Sequence, residues 1–365
     1  MPTISLCMIV KNEEEVLGNC LQSVQNICDE IVIVDTGSTD RTKEIAKQFT
    51  DKVLDFKWID DFSAARNFAF SNATMDYILW LDADDVFLPA DQQKFKKLKE
   101  SLDVNVDGVS MVYVIARDEY GNPSFHYRRN RLVKRSRNFK WVGPVHEYLD
   151  VSGKIISSDI SVEHKKDEKN STDTSSDRNL RIYENRIKKG EDFSPRDLYY
   201  YANELRDHKG YEKAIIYYHE FLGGKKGWVE DNIRACLYLA DCHAKLGEKD
   251  EEMEALLKSL TYDAPRPEPC CRLGDLFKAK KDYQTAVFWY MTASNMKKDT
   301  AGFQNEAYST WYPQLQLCVC HWELGNIEKS IEHNNLAKKY RPNDKQVLFN
   351  EKFFNDYMET KKGKK

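Results

Sequence analysis

The sequence predicts an α/β domain followed by an all-α stack of helical repeats. Three observations carry this reading. Up to about residue 165, short apolar β-branched runs alternate with amphipathic stretches. From about 195 onward, helix-like segments recur with small residues at a spacing near 34. Between the two, residues 163–181 (EHKKDEKNSTDTSSDRNLR) are polar throughout. A chain of 365 residues has room for two domains.

The elements of the first part follow in order. Ile4–Val10 and Glu30–Val34 are apolar and β-branched, hence buried strands. Glu13–Gln25 places Val16, Leu17, Leu21 and Val24 at helical spacing. Asp40–Phe49 reads as a second helix, with Ile45, Ala46 and Phe49 inward. Lys52–Phe56 is a short strand, Ala64–Asn72 a third helix and Tyr77–Leu81 another buried strand. Gly108–Ile115 and Asn130–Val133 are further strands, and Ile156–Val162 is a last strand-like run. Regular alternation of this kind predicts a parallel sheet with helices on both faces.

The second part aligns as four segments. Leu198, Tyr201, Ala202, Leu205, Tyr211, Ala214 and Tyr218 form the first, and Leu239, Ala240, His243, Gly247 and Leu256 the second. Leu273, Gly274, Phe277, Tyr283, Ala286, Tyr290 and Ala293 form the third. Leu317, Cys318, His321, Gly325, Ile327 and Ala337, followed by Pro342, form the fourth. Anchors at 214, 252, 286 and 330 lie 38, 34 and 44 residues apart, with Glu252 in the small-residue slot of the second. An insertion around Lys297–Trp311 explains the long last interval. Such spacing matches tetratricopeptide repeats, whose stacked helix pairs leave a groove for a peptide or protein. The domains are expected at 1–165 and 195–345. Residues 166–194 are a solvated linker or a mobile loop that orders over substrate, and 346–365 are a C-terminal helix with a basic tail.

Composition limits the function. With 41% apolar and 31% charged residues the chain suits a globular protein. Its 55 basic and 59 acidic residues argue against a general nucleic-acid binder. The longest apolar runs, such as Tyr77–Leu81 and Met111–Ala116, are far too short to span a membrane. The apolar N-terminal run precedes its charges, KNEEE, which is not the order of a cleavable signal, so a cytoplasmic protein is expected. Nine cysteines without a CxxC pair speak against disulfides and zinc. Cys236, Cys242, Cys270, Cys271, Cys318 and Cys320 read as reduced core thiols.

Three clusters carry chemistry. In VDTGSTD (34–40), Asp35 ends a buried strand before a Gly37–Ser38 turn, where open α/β sheets bind ligands. A carboxylate there can accept from a base N–H or a ribose hydroxyl, while Asp40 caps the following helix. In LWLDADD (79–85), an apolar strand ends in three acids, and Asp82 and Asp84 leave it on the same side. Aligned carboxylates repel and call for a hard cation, Mg²⁺ or Mn²⁺, of the kind that also holds phosphates. In WVGPVHE (141–147), His146 and Glu147 follow a Gly-Pro turn and read as a metal ligand or a base. Upstream, residues 128–140 hold Arg128, Arg129, Arg131, Lys134, Arg135, Arg137 and Lys140 and no acid. They form either a solvated basic face or a clamp for diphosphate.

In the order KNEE (11–14), VDTGSTDRT (34–42), DFSAARN (61–67), LDADD (81–85) and WVGPVHE (141–147), the first 165 residues resemble glycosyltransferase family 2. The resemblance implies a GT-A fold, a nucleotide-sugar donor, of a uridine or related diphosphate, and an inverting mechanism. It puts Asp35 on the base, Arg66 near the nucleotide, Asp82 near the ribose and Asp84 on the metal, as a DxD motif. Arg128 and Arg131 are expected to bind the donor diphosphate. His146 is the first candidate for a further metal ligand and His164 the second. Glu147 is the candidate general base, since transfer needs a proton removed from the acceptor. The pairing of this domain with helical repeats is similar to glycosyltransferases that modify bacteriocin peptides at cysteine, the sublancin type. It is also similar to bacterial enzymes of surface-glycan assembly. The expected acceptor is therefore a peptide or protein, at Cys or Ser, held by the repeats. The alternatives are a glycan or lipid-linked sugar acceptor, with the repeats making a homodimer, and a non-catalytic repeat scaffold.

Overall fold

The β-branched runs of the N-terminal part become strands covered on both faces. In the computed structural model, which describes residues 1–119, 121, 123–165, 174–296 and 304–362, they are β1 (Ile4–Val10), β2 (Glu30–Asp35), β3 (Val53–Asp55) and β4 (Tyr77–Trp80). All four run parallel, with Val10 paired to Asp35 and Cys7 to Trp80. Period-two alternation sends Ile4, Leu6, Met8 and Val10 into one apolar cluster with α1 (Leu17–Val24) and α2 (Thr42–Ala46). Cys7, Val32, Val34 and Ile78 enter a second cluster against Ala69 of α3 (Phe62–Ser71). Burial on both faces is why these strands read as unbroken apolar runs. By contrast, α4 (Pro89–Ser101) buries Phe95 among lysines and shows no apolar stripe.

The rest of the sheet departs from the parallel expectation. It adds β5 (Asp85–Val86), β6 (Gly108–Arg117), β7 (Pro123–Lys134) and β10 (Ile155–His164), in the order β3-β2-β1-β4-β7-β6-β10-β5. β7 is antiparallel to β4, and β5 is antiparallel to β10. For β7 the reason is connection length: too few residues separate it from β6 for the crossover that a parallel neighbour requires. The expected strand Asn130–Val133 is the end of the much longer β7, whose first half is polar. A separate ribbon, β8 (Trp141–Val142) with β9 (Tyr148–Leu149), closes the loop that carries Glu147.

Contacts divide the chain into two units, Met1–Arg117 with Phe125–Glu191, and Asp118–Ser124 with Asp192–Lys365. The first therefore runs past residue 165. Of the expected linker, 166–173 lie outside the described residues, and α5 (Thr174–Lys188) is a helix with Ile182 and Tyr183 buried. Its apolar residues are too sparse to stand out from a polar run.

The second unit is built of helix pairs α6 (Pro195–Asp207) and α7 (Tyr211–Gly224), α8 (Val229–Leu246) and α9 (Lys249–Ser259). These are followed by α10 (Pro267–Ala279) and α11 (Tyr283–Asn295), α12 (Trp311–Glu323) and α13 (Ile327–Tyr340), and then α14 (Lys345–Lys362). The inserted segment lies partly outside the described residues, at 297–303. Each pair turns through one left-handed residue, Lys209, Gly247, Lys281 or Gly325, at the same 38-, 34- and 44-residue intervals as the anchors. Gly274 shows why small residues recur where the helices cross: a Cβ there would lie 2.7 Å from the Tyr290 ring. The same pair position carries a hydrogen bond twice, Tyr218 to Asn203 at 2.7 Å and Tyr290 to Asp275 at 2.6 Å.

Candidate active site

Strand β4 delivers the chain to the acidic turn and then runs out of apolar residues. The turn is closed by two hydrogen bonds, Asp82 N–H to Asp85 Oδ2 at 2.9 Å and Asp85 N–H to Asp82 O at 3.1 Å. Asp85 is wholly buried and pairs at 2.9 Å with Nη1 of Arg131, which is equally buried. The Arg131 guanidinium lies 4.0 Å from the Trp80 ring centroid and 4.5 Å from that of Tyr113. Burial raises the Asp85 carboxyl above its ordinary value, although Arg131 pulls it the other way. Arg131, expected on the donor, is thus out of a ligand's reach and supports the turn from below.

Arg66, on α3, is the hub of the site. Its Nη2 donates to Asp82 at 2.6 Å and its Nε to Glu147 Oε1 at 2.5 Å. The guanidinium lies 4.7 Å from the Trp141 ring centroid and 5.4 Å from that of Trp80. Burial works against its charge, but Asp82 and Glu147 hold Arg66 above its ordinary value. Asp82, in spite of burial, is held well below the usual carboxylate range by Arg66, then Arg131 and Arg129. The neighbouring Asn67 exchanges two hydrogen bonds of 2.9 Å with the backbone of Trp141, and Phe62 N–H donates to Pro144 O. The 61–67 segment therefore fastens the loop that presents Glu147, a role for Asn67 that spacing alone does not reveal.

The pairing of β5 with β10 sets His164 opposite Asp85. His164 Nδ1 lies 3.4 Å from Asp84 Oδ1 and 3.1 Å from the Tyr113 hydroxyl. The contact with Asp84 raises the His164 imidazole above its ordinary value, against burial. Among the described residues, Asp84, Asp85 and His164 form a group able to hold a metal, with one ligand atom from each within 4.8 Å of the others. With Asp85 committed to Arg131, Asp84 and His164 are the available pair. Carboxylate with imidazole suits Mn²⁺ and tolerates Mg²⁺. His146 occupies a left-handed turn position, φ 51°, and is not in that group.

Asp35 ends β2 and is buried. Its Oδ1 accepts from the amides of Gly37 and Ser38 at 3.0 and 2.9 Å, which fixes the turn. Its Oδ2 is buried without a partner, an acceptor that awaits a donor. Asp40, expected as the cap of the following helix, stands one residue ahead of the N-cap Arg41, and its Oδ1 accepts from the Thr42 amide at 3.0 Å. A cleft of about 310 Å³ is lined by Thr36, Trp58, Phe62, Arg66, Asp82, Asp84, Tyr113 and His164, with Lys11, Glu13 and Arg178. Burial, then Asp84 and Asp82, pushes Glu13 up to about 7. Arg178 is contributed by α5 and packs 4.6 Å over the Phe62 ring.

The basic run 128–137 splits by strand alternation. Arg128 turns away from the cleft and ties β6 to β10 through Ser110 O and Ser158 O, both at 2.6 Å. Arg129 and Arg131 face the aromatic side, with Arg129 5.1 Å from the Tyr113 ring and bonded to the Tyr127 hydroxyl. Arg129 is thus the better-placed neighbour of the acidic turn. Period two would have separated it from Arg128, had the polar residues before Asn130 been read as strand.

Residues 5–161 match the family Glycosyl transferase family 2, and residues 233–265 and 267–300 match a tetratricopeptide repeat family. Residues 5–161 therefore form a glycosyltransferase family 2 domain, and tetratricopeptide repeats follow it. A TPR repeat-containing protein of Synechococcus elongatus is 39% identical over 153 residues, 42% of this chain and 36% of that protein. The SPbeta prophage-derived glycosyltransferase SunS of Bacillus subtilis is 34% identical over 149 residues, 40% of this chain and 34% of that protein. The matches span about a third of either relative's length. Among solved structures, glucosyl-3-phosphoglycerate synthase from Mycobacterium tuberculosis, in complex with Mn²⁺ and UDP-glucose, aligns with 13% identity and a TM-score of 0.35. That alignment covers 53% of this chain and 81% of the synthase. No helix among the described residues is long and apolar enough to cross a membrane.

Proposed function

We propose that the protein is a metal-dependent, inverting glycosyltransferase that moves a sugar from a nucleoside diphosphate sugar, a UDP-sugar, to a Cys or Ser of a peptide or protein. The observation that carries the reading is the cleft lined by Arg66, Asp82, Asp84 and His164, where Arg66 donates to Asp82 and, behind it, to Glu147. The relatedness to a domain of glycosyltransferase family 2 supports the reaction class. The repeats support a macromolecular acceptor.

Asp35 Oδ2 accepts an N–H of the base, and the Gly37–Ser38 turn keeps that carboxylate aimed. Asp82, kept ionised by Arg66, accepts from a ribose hydroxyl. Asp84 and His164 hold the Mn²⁺ or Mg²⁺, which would neutralise charge on the departing diphosphate. Glu147 has Oε1 committed to Arg66, which leaves Oε2 to take the acceptor's proton.

Calorimetric titration of UDP, with and without Mn²⁺, tests the donor half. Asp35→Asn keeps the turn but turns an acceptor into a donor, and is expected to weaken UDP by roughly tenfold to a hundredfold. Asp84→Ala should remove the metal dependence of binding. Incubation with candidate peptides, Mn²⁺ and a panel of nucleotide sugars, followed by mass spectrometry, tests the acceptor half. Activity that persists unchanged in excess chelator would defeat the metal-dependent mechanism. Transfer to glycans but to no peptide would replace the acceptor class.

A further inference from the structure

The helical unit carries its own cavity, about 790 Å³, along the C-terminal ends of α6, α8 and α10. We infer that this groove docks an acidic peptide segment, and that the segment belongs to the acceptor. The second clause rests on the peptide or protein acceptor proposed above.

Charge bookkeeping within the groove decides the sign. Each of its acids is already matched. Asp207 pairs with Arg206 at 2.6 Å, Asp241 with Arg272 at 2.8 Å and Glu252 with Lys249 at 2.8 Å. Asp275 accepts the hydroxyls of Tyr290 and Tyr312 at 2.6 and 2.8 Å. Among the described residues Lys209 and Lys245 have no ion-pair partner, and Lys280 has a loose one, 3.7 Å from an exposed Asp250. A surplus of cations is left over.

The Arg206 guanidinium is fixed 3.6 Å from the Tyr238 ring centroid, and its Nη1 is buried with no hydrogen-bond partner. The favourable placing of lysines at helix C-termini accounts for Lys245 and Lys280. It does not account for Arg206 Nη1, which Asp207 pre-orients by holding Nε and Nη2 and which is left as one donor for a further carboxylate. Ala244 and Ala279 contribute small side chains to the groove's lining. Nucleic acid fits less well. Four fixed carboxylates interrupt the cationic surface, and evenly spaced phosphates would meet them, whereas a peptide can leave gaps between its acids.

Fluorescence anisotropy of a fluorescein-labelled peptide of alternating glutamate and alanine tests this on the full chain. The glutamine counterpart and a single-stranded oligonucleotide serve as competitors. The glutamate peptide is expected to bind, with affinity falling as salt rises. Lys209→Glu, Lys245→Glu and Lys280→Glu together should weaken it on the order of tenfold or more with the helical circular dichroism unchanged. Arg206→Lys, which keeps the charge and loses the Nη1 donor, should weaken it less but measurably. Equal binding of the glutamate and glutamine peptides, an unaffected triple variant, or preference for the oligonucleotide would overturn the assignment. Transfer assays separate the two claims. Peptides modified equally well with and without an acidic segment sink the groove and leave the acceptor class standing. An acidic peptide that binds, while no peptide is ever modified, does the reverse.

Discussion

Arg131→Met removes one half of the buried pair beneath the acidic turn while roughly keeping its volume. The substitution leaves Asp85, fully buried, without its ion-pair partner. Breaking such a pair costs about 3–5 kcal/mol, because the remaining charge has neither water nor a partner. The lost contacts over Trp80 and Tyr113 act in the same direction. Asp85 has one escape, which is to take up a proton, and burial already pushes it that way. The deficit should therefore be largest at high pH and shrink as pH falls through the raised value, since the folded variant then binds the proton more tightly than the unfolded chain. Asp85→Asn in the Arg131→Met background abolishes the buried charge and still offers an oxygen to the Asp82 amide. The double variant should recover to within about 1 kcal/mol of the parent protein. Urea denaturation at pH 5.5 and pH 8 reads all three proteins. An Arg131→Met deficit below about 1 kcal/mol at pH 8, or a double variant no more stable than the single, refutes the picture of a charged buried pair holding the turn.

Other outcomes follow from single contacts. Glu147→Gln should leave UDP binding intact and lower turnover by roughly 10²–10⁴. The deficit should be smaller for a thiol acceptor than for a hydroxyl and should diminish towards pH 9, because a thiol is partly ionised already; wild-type turnover on a serine peptide would remove Glu147 from the mechanism. Burial raises Asp231 on α8 to about 6, so its folded form binds a proton more tightly than the unfolded chain and loses stability as pH rises through that value. Asp231→Asn should stabilise the protein by on the order of 1–3 kcal/mol at pH 7.5, with the gain fading towards pH 4; an equal gain at both would point to another cause. Gly274→Ala gains helix propensity but drives a Cβ to within 2.7 Å of the Tyr290 ring, and a net loss of about 1–3 kcal/mol is expected by thermal denaturation.

The sequence by itself determined what local patterns can encode. Strands β1, β2 and β4 are buried on both faces, so their apolar runs mark them without reference to anything distant. Because such a strand has to end before a charge, Asp35 and the 82–85 acids are legible as strand-end groups at the carboxyl edge of a sheet. The repeats are equally legible, since one left-handed turn and one helix crossing recur at intervals that the anchors already show. Only the tertiary structure decided which of the remaining polar residues meet. His164 joins Asp84, and His146 does not, because β5 pairs antiparallel with a strand some eighty residues away. Arg66 reaches Glu147 because Asn67 pins the ribbon that carries it. Arg128 and Arg131 stay out of the cleft for opposite reasons, one turned to the other face of β7 and one sunk beneath Trp80. α5 brings Arg178 to the cleft from a stretch whose composition reads as linker. In each case the deciding quantity is strand order or strand face, which depends on pairings between segments far apart in the chain and leaves no local periodicity to read.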